Sequence, residues 1–566
     1  MGIEAHIPGL TERRKGFAFL SVDFPAGSAL HCCIMQLRFS RLLSGIPCRL
    51  ALNGESDPLI AGIAYDSRNA APRSLFFALP GIHANGADYI PQALEAGARA
   101  VIYQGELPVA ALEAARRRDA ALAQVADARF ALSPVSAAFY GRPSERLAVV
   151  GVTGTEGKSS TVSFIWQLLR LAGKKAGFIS TVAYSLGGEV QANPRHETTP
   201  EAPVVQQRLY EMAENGCEYA VLEASSHGLS LRTNRLGDVR FDAAVMTNVA
   251  REHLEFHGTW EHYRDDKANL FRVLDGHPHE KRIGGTQRTV PAFGVVNADD
   301  LSAAFFAAAT RHNTYGFSAS GSVDGRFAAC FAAQGISAGK TGVSFSVSAD
   351  ENTAPRLSFC VEAPLPGAFN AANVLAALVT VSRLCGISVE TLAPLAAQLV
   401  PVRGRMTAIC RGQPFEVLVD YAHTPSSFEA IFPPLRARAK GKIISLFGSG
   451  GERDTEKRPE QGRIAGRYSD IVVLADEDPR GEDPRALLEA IETGCLEAGK
   501  MRGRDVFVIP DRPRAIRQAF AFAESGDIVL LLGKAHENSI IYKDFAMPYD
   551  EIAEAEQALA EKGYTA

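Results

Sequence analysis

The stretch GVTGTEGKSS, residues 151–160, constrains this chain more than any other. It follows LAVVGV, an apolar run of strand length, and leads into TVSFIWQLLRLAG, whose apolar spacing and Gly stop predict a helix. A buried strand, a glycine-rich turn and a helix in that order aim several backbone N–H groups at one point. Such a point holds phosphate oxygens. Lys158 adds a positive charge for the outer phosphates, and Ser159 adds a hydroxyl able to ligate Mg²⁺. Gly154, Thr155, Gly157 and Ser160 complete the candidate nucleotide loop. Five residues separate Gly151 from Gly157, one more than in the usual phosphate loop. Glu156 puts an acid in the turn, where it would repel a triphosphate, so its side chain is expected to point outward.

The rest of the chain fits a doubly wound α/β protein built around that loop. A length of 566 residues exceeds a single core. EYAVLEASSHG and FDAAVMTNVAREH read as strands ending in polar clusters, and NAANVLAALVTVSRLCG as a helix with a Gly stop. Residues 318–364 are strand- and turn-rich and read as an antiparallel excursion. VLVDYAHTP, IISLFGSGG, DIVVLADEDP and IVLLLGKAHE are apolar strands with polar or Gly-rich loops, a second Rossmann-like unit. The expected division is 35–145, a mixed α/β domain; 146–400, a central domain on a parallel sheet; and 401–566, the Rossmann-like domain. Residues 1–34 read as an upstream extension, or as a start codon called too early.

Composition narrows the partners. A net charge of −5 gives no electrostatic reason to expect nucleic acid. The longest apolar runs, such as IVLLL, have strand length, so no membrane partner is expected. Nine cysteines without a CxxC pair fit reduced thiols in the cytoplasm and argue against a zinc site.

Further motifs follow in a characteristic order: LEASSHGLS, TNVAREHLEFHGTWEHYRDDK, LPGAFNAANVLAA, VRGRM, VDYAHTP, FGSGGERDTEKRP, DEDPRGEDP and LLGKAHE. With the loop, and with YDSRN and GIHANG near the N-terminus, the chain resembles the Mur ligase family over roughly residues 35–560. These enzymes add amino acids to the peptidoglycan precursor with ATP, and their relatives include folylpolyglutamate synthase. The resemblance implies a three-domain architecture with a central P-loop ATPase-like sheet. It also implies an amide ligase acting through an acyl phosphate on UDP-MurNAc-L-Ala-D-Glu, and a monomer.

The resemblance also implies residue roles. Lys158 neutralises phosphate, Ser159 and Glu223 hold one Mg²⁺, and His253 binds a second. Lys267 stands where the family carries a carbamylated lysine, an anion supporting the metal site; Asp265 and Asp266 beside it read as solvated helix charges. Asn297, Asn370, Asn373, Arg405, Asp420, Tyr421 and His423 are implied for the nucleotide. Ser67, Arg68 and His83 are implied for the uridine end. Thr198, Thr199, Ser225 and an arginine, with Arg235 preferred to Arg232, are implied for the sugar-peptide.

Arg453, Glu477, Asp478, Arg480, Gly533 and Glu537 are implied for the incoming amino acid, with Arg453 on its carboxylate and Glu537 on an amino group. Diaminopimelate enzymes of the family carry DNPR where this chain has Glu477-Asp478-Pro479-Arg480. A carboxylate at 478 repels a distal carboxylate and attracts an ammonium, which favours L-lysine or L-ornithine; retention of Arg480 keeps meso-diaminopimelate in range. Glu252 and Glu255 replace family aspartates around His253. The alternatives are another ligase of this superfamily, a kinase or NTPase built on the same loop, or a non-catalytic nucleotide-binding module.

Overall fold

The computed structural model describes residues 35–52, 57–81, 85–194, 197–322, 325–351 and 358–565. Residues 1–34 and His83 lie outside the described residues. Three α/β units follow one another along the chain. The first is a five-stranded sheet in the order 48–52, 121–125, 100–103, 74–78, 62–64, parallel except for the first pair. Its helix Ala128–Phe139 starts at Asp127, whose carboxylate accepts the N–H groups of Arg129 and Phe130.

The central sheet has eleven strands among the described residues. Ala148–Thr153 is paired in parallel with Tyr219–Glu223 on one side and Ala243–Met246 on the other. Its valines 149, 150 and 152 are fully buried. That is why the run reads as continuous apolar rather than alternating. Helix Lys158–Leu171 returns over the sheet and packs against helix Asn370–Cys385, which is buried nearly all round. The 318–364 region departs from expectation in one respect. Ala329–Ala338 pairs in parallel with Thr314–Ser318, and only the next two strands, Val343–Glu351 and Ser358–Ala363, run antiparallel. The segment extends the central sheet instead of leaving it. No local pattern announces that parallel pairing.

The last unit is a six-stranded sheet in the order 407–409, 416–420, 528–532, 443–447, 471–474, 506–508. All its pairs are parallel except the first. Its loops at the carboxyl ends of 416–420, 443–447, 471–474 and 528–532 carry Tyr421, Arg453, Glu477 and Glu537 respectively. No single helix among the described residues is long and apolar enough to cross a membrane.

Candidate active site

A cleft of about 960 Å³ runs between the central and C-terminal units. One wall is the phosphate loop. Gly157 has φ +79° and opens helix Lys158–Leu171 with no side-chain cap, so the first-turn N–H groups stay available for an anion. A Cβ at Gly157 would lie 2.5 Å from Asn373 Oδ1. Gly157→Ala is therefore expected to cost about 1–2 kcal/mol from the left-handed backbone alone. It should also weaken ATP binding, as a thermal melt and a nucleotide titration would measure. Lys158 Nζ donates to the Thr155 carbonyl at 2.8 Å, curled over the loop.

Ser159 and Glu223 meet at the foot of the cleft. The Ser159 hydroxyl is 2.9–3.0 Å from both Glu223 carboxylate oxygens, and the Thr181 N–H donates to Glu223 at 2.8 Å. Both side chains are buried. A hydroxyl and an oriented carboxylate are the hard oxygen donors that suit Mg²⁺. Arg405 from the C-terminal unit donates to the same Ser159 hydroxyl at 3.2 Å and lies over the Tyr421 ring.

His253 opens the short helix Leu254–His257 in a left-handed conformation, φ 55°. Its ring nitrogens face Glu252 at 3.6 Å and Glu255 at 3.4 Å. The His253 imidazole holds Glu255 down at about 2. Lys267 is 1% exposed and donates to the Gly154 carbonyl at 2.6 Å. Burial, and then the neighbouring Lys158 charge, hold its amine well below the ordinary lysine value. Of the two aspartates beside it, Asp265 pairs with exposed Arg272, whereas Asp266 is not a free solvated charge. It takes His257 Nδ1 at 2.8 Å, and His257 Nε2 reaches Ser226.

Glu156 also departs from expectation. It does not turn out to solvent: Thr424 of the C-terminal unit donates to its carboxylate at 3.0 Å. Burial, and then the Glu252 carboxylate, push it up to about 7. Three polar loops crowd this seam, and their approach is invisible in the local sequence.

Of the nucleotide candidates, Asn297, Asn373, Arg405, Asp420, Tyr421 and His423 line the cleft, and Asn370 lies behind it, bonded to Asn373 and to the Pro366 carbonyl. Burial raises the Asp420 carboxyl, which accepts the Met406 and Ala422 N–H groups, and lowers His423 to about 4. On the next stretch of wall, Thr199 Oγ1 bonds the Glu223 carbonyl and the N–H and hydroxyl of Ser225, with Thr198 beside it. Arg235 donates to the Thr199 carbonyl at 2.7 Å and pairs with Glu201. Arg232 turns away to the Phe256 carbonyl and ring. Ser67 is buried against Gln92, and Arg68 is exposed and paired with Asp66, both on the first unit.

The C-terminal wall carries Arg453, Glu477, Asp478, Arg480 and Glu537, with Gly533 directly beneath Glu477. The charge assigned to Asp478 is already matched. Buried Lys534 donates to it at 2.8 Å, the Ile541 N–H at 2.9 Å, and Arg480 stands 3.9 Å away. Lys534 also bridges to Glu537, which accepts from the Tyr421 hydroxyl. Glu477 is different: it is 9% exposed, and its Oε2 has no hydrogen-bond partner. Burial raises its carboxyl above the ordinary value. Lys534 carries little signal in the sequence; its spacing three residues before Glu537 is the one local hint.

Comparison with known proteins agrees with this geometry. Residues 152–381 match the Mur ligase middle domain, 404–535 the Mur ligase glutamate ligase domain, and 59–139 the Mur ligase family catalytic domain. A Treponema denticola protein described as UDP-N-acetylmuramyl-tripeptide synthetase is 51% identical over 527 residues, covering 89% of this chain and 95% of its own. A Treponema pallidum protein of the same description is 49% identical over 520 residues, covering 88% and 93%. A solved UDP-N-acetylmuramoyl-L-alanyl-D-glutamate–2,6-diaminopimelate ligase superposes with a TM-score of 0.58 at 26% identity, covering 94% of this chain and all of its own. The chain belongs to the Mur ligase family and is an ATP-dependent ligase.

Proposed function

We propose that this ligase joins a dibasic L-amino acid, L-lysine or L-ornithine, to the D-glutamyl carboxylate of UDP-MurNAc-L-Ala-D-Glu in the cytoplasm, making a peptidoglycan precursor. The observation that carries the reading is one cleft with a phosphate loop on one wall and a mixed-charge Arg453/Glu477/Glu537 cluster on the other. A carboxylate must acquire a leaving group before an amine can displace it. The D-glutamyl oxygen attacks the γ-phosphorus, and ADP leaves. The amine then attacks the acyl carbon, losing a proton, and phosphate leaves. Lys158 and the loop N–H groups neutralise and align the phosphates. Thr198, Thr199, Ser225 and Arg235 hold the peptide end, while Ser67, Arg68 and His83 serve the uridine end. Arg453 takes the carboxylate of the incoming amino acid and Glu537 its amino group, with Glu477, Asp478, Arg480 and Gly533 around the distal end. Asn297, Asn370, Asn373, Arg405, Asp420, Tyr421 and His423 surround the nucleotide.

The donor set fits Mg²⁺. Ser159 and Glu223 would hold one ion and His253 a second, with Lys267 as a carbamate adding an anion; the metal would supply neutralisation of phosphate charge. Turning Lys267 into an anion also removes its repulsion with Lys158. The test is ADP release with Mg²⁺, ATP and UDP-MurNAc-L-Ala-D-Glu, with the product identified by mass. Turnover is expected with ornithine or lysine and weak or absent with meso-diaminopimelate. Turnover with diaminopimelate alone would overturn the dibasic reading. ATP turnover independent of any amino acid would overturn the ligation itself.

A further inference from the structure

We propose that Glu156 is a positioning residue that latches the C-terminal domain onto the phosphate loop. Its peptide is pinned on both sides: its N–H donates to Asn248 Oδ1 at 2.8 Å, and its carbonyl accepts from Thr247 Oγ1 at 2.6 Å. This fixes the backbone from which the side chain leaves, and the side chain crosses the seam. There it meets Thr424, the N-cap of helix Pro425–Arg438. Thr424 belongs to a capping box in which Ser427 N–H donates to Thr424 Oγ1 and Thr424 N–H donates to Ser427 Oγ, while the Ser427 hydroxyl proton goes to the Thr424 carbonyl. The Ser426 and Ser427 hydroxyls and the Glu156 carboxylate all lie 2.9–3.0 Å from Thr424 Oγ1, and of these the carboxylate is the strongest acceptor for its one proton. A carboxylate before a helix N-terminus is also favoured by the helix dipole. The Arg405–Ser159 bond and the Arg251–Glu456 pair at 3.5 Å cross the same seam. The latch thus ties the loop that would hold ATP to the domain that would hold the amino acid. In its kinetic consequences the proposal rests on the ligase reading above.

The experiment is a double-mutant cycle with solution scattering. Glu156→Ala is expected to lower kcat roughly tenfold and to raise KM for the amino acid, leaving KM for ATP within about twofold. Glu156→Ala with Thr424→Val should cost no more than the worse single change, because both remove one contact. Thr424→Ser, which keeps the hydroxyl, should behave as the parent; it serves where the loss of the cap in Thr424→Val unfolds the protein. Ligand-free Glu156→Ala should scatter with a larger radius of gyration than the parent. Multiplicative losses in the cycle, or unchanged scattering and kcat in Glu156→Ala, would overturn the latch. Scattering does not depend on the reaction. A parent enzyme without amino-acid-dependent ADP release would sink the proposed function and leave the latch to be decided by the scattering arm.

Discussion

Lys267→Ala is expected to lower kcat about 1000-fold, a loss of about 4 kcal/mol of transition-state stabilisation, with little change in the melting temperature or in KM for ATP. An ammonium 1% exposed and beside Lys158 loses more to burial than the Gly154 carbonyl, the Tyr263 ring and the Glu252, Glu156 and Glu223 carboxylates return. Both influences favour the neutral amine, and the neutral amine is the form that adds CO₂. Carbamylation would turn a destabilised cation into an anion that Lys158 attracts. A plain structural lysine would behave otherwise: its loss would show in stability, and its cationic form would be what the loop needs. Two measurements separate the cases. Short carboxylates such as acetate should restore part of the activity of Lys267→Ala, because they replace the missing anion. The parent protein equilibrated with ¹³C-labelled CO₂ should give a carbamate carbon resonance that the variant lacks. A variant with near-parental kcat, or one that acetate does not rescue and whose parent shows no carbamate signal, would refute the anionic role.

The parts of this molecule that were legible in its sequence are those that one local stretch of chain encodes. LAVVGV, the glycine turn and the helix after Lys158 lie within about twenty-five residues, and each obeys a rule that acts at that range. The α/β class follows from the repetition of such units. What was not legible depends on pairs brought together by closure of the seam. Arg405 reaches Ser159 across 246 positions, and Thr424 reaches Glu156 across 268. Neither contact leaves a periodic or spacing signal, so Glu156 read as an outward-pointing acid. Asp478 read as a free charge because Lys534 lies 56 positions away. The burial of Lys267 comes from the loop above it, so the polar run EHYRDDK carries no sign of it and only the family resemblance singles the residue out. The motif order drew most candidate residues to one cleft, but it carried no information on which of their charges are already spent within the protein.

That distinction decides the last expectation, the effect of Glu477→Gln. The variant should raise KM for lysine or ornithine about 100-fold, about 2–3 kcal/mol, while KM for ATP stays unchanged. Asp478 cannot offer much to a substrate ammonium while Lys534 and the Ile541 N–H hold one of its oxygens and Arg480 approaches the other. Glu477 has the opposite condition: a buried carboxyl on the cleft wall, raised by desolvation, with one oxygen unpartnered against Gly533. An ammonium arriving there relieves a cost already present in the free enzyme, so the pairing is worth more than one made at an exposed acid. Asp478→Asn should act through a different route. It leaves Lys534 with Glu537 as its remaining acid partner, and should lower the melting temperature more than it changes selectivity. Glu477→Asp keeps the charge but withdraws it by one methylene, which should shift preference toward the longer of the two amino acids. Steady-state kinetics with both amino acids, alongside thermal melts, separate these outcomes. A Glu477→Gln enzyme with an unchanged KM, together with an Asp478→Asn enzyme that loses dibasic selectivity, would return the distal charge to Asp478 and require Lys534 to move aside when substrate enters.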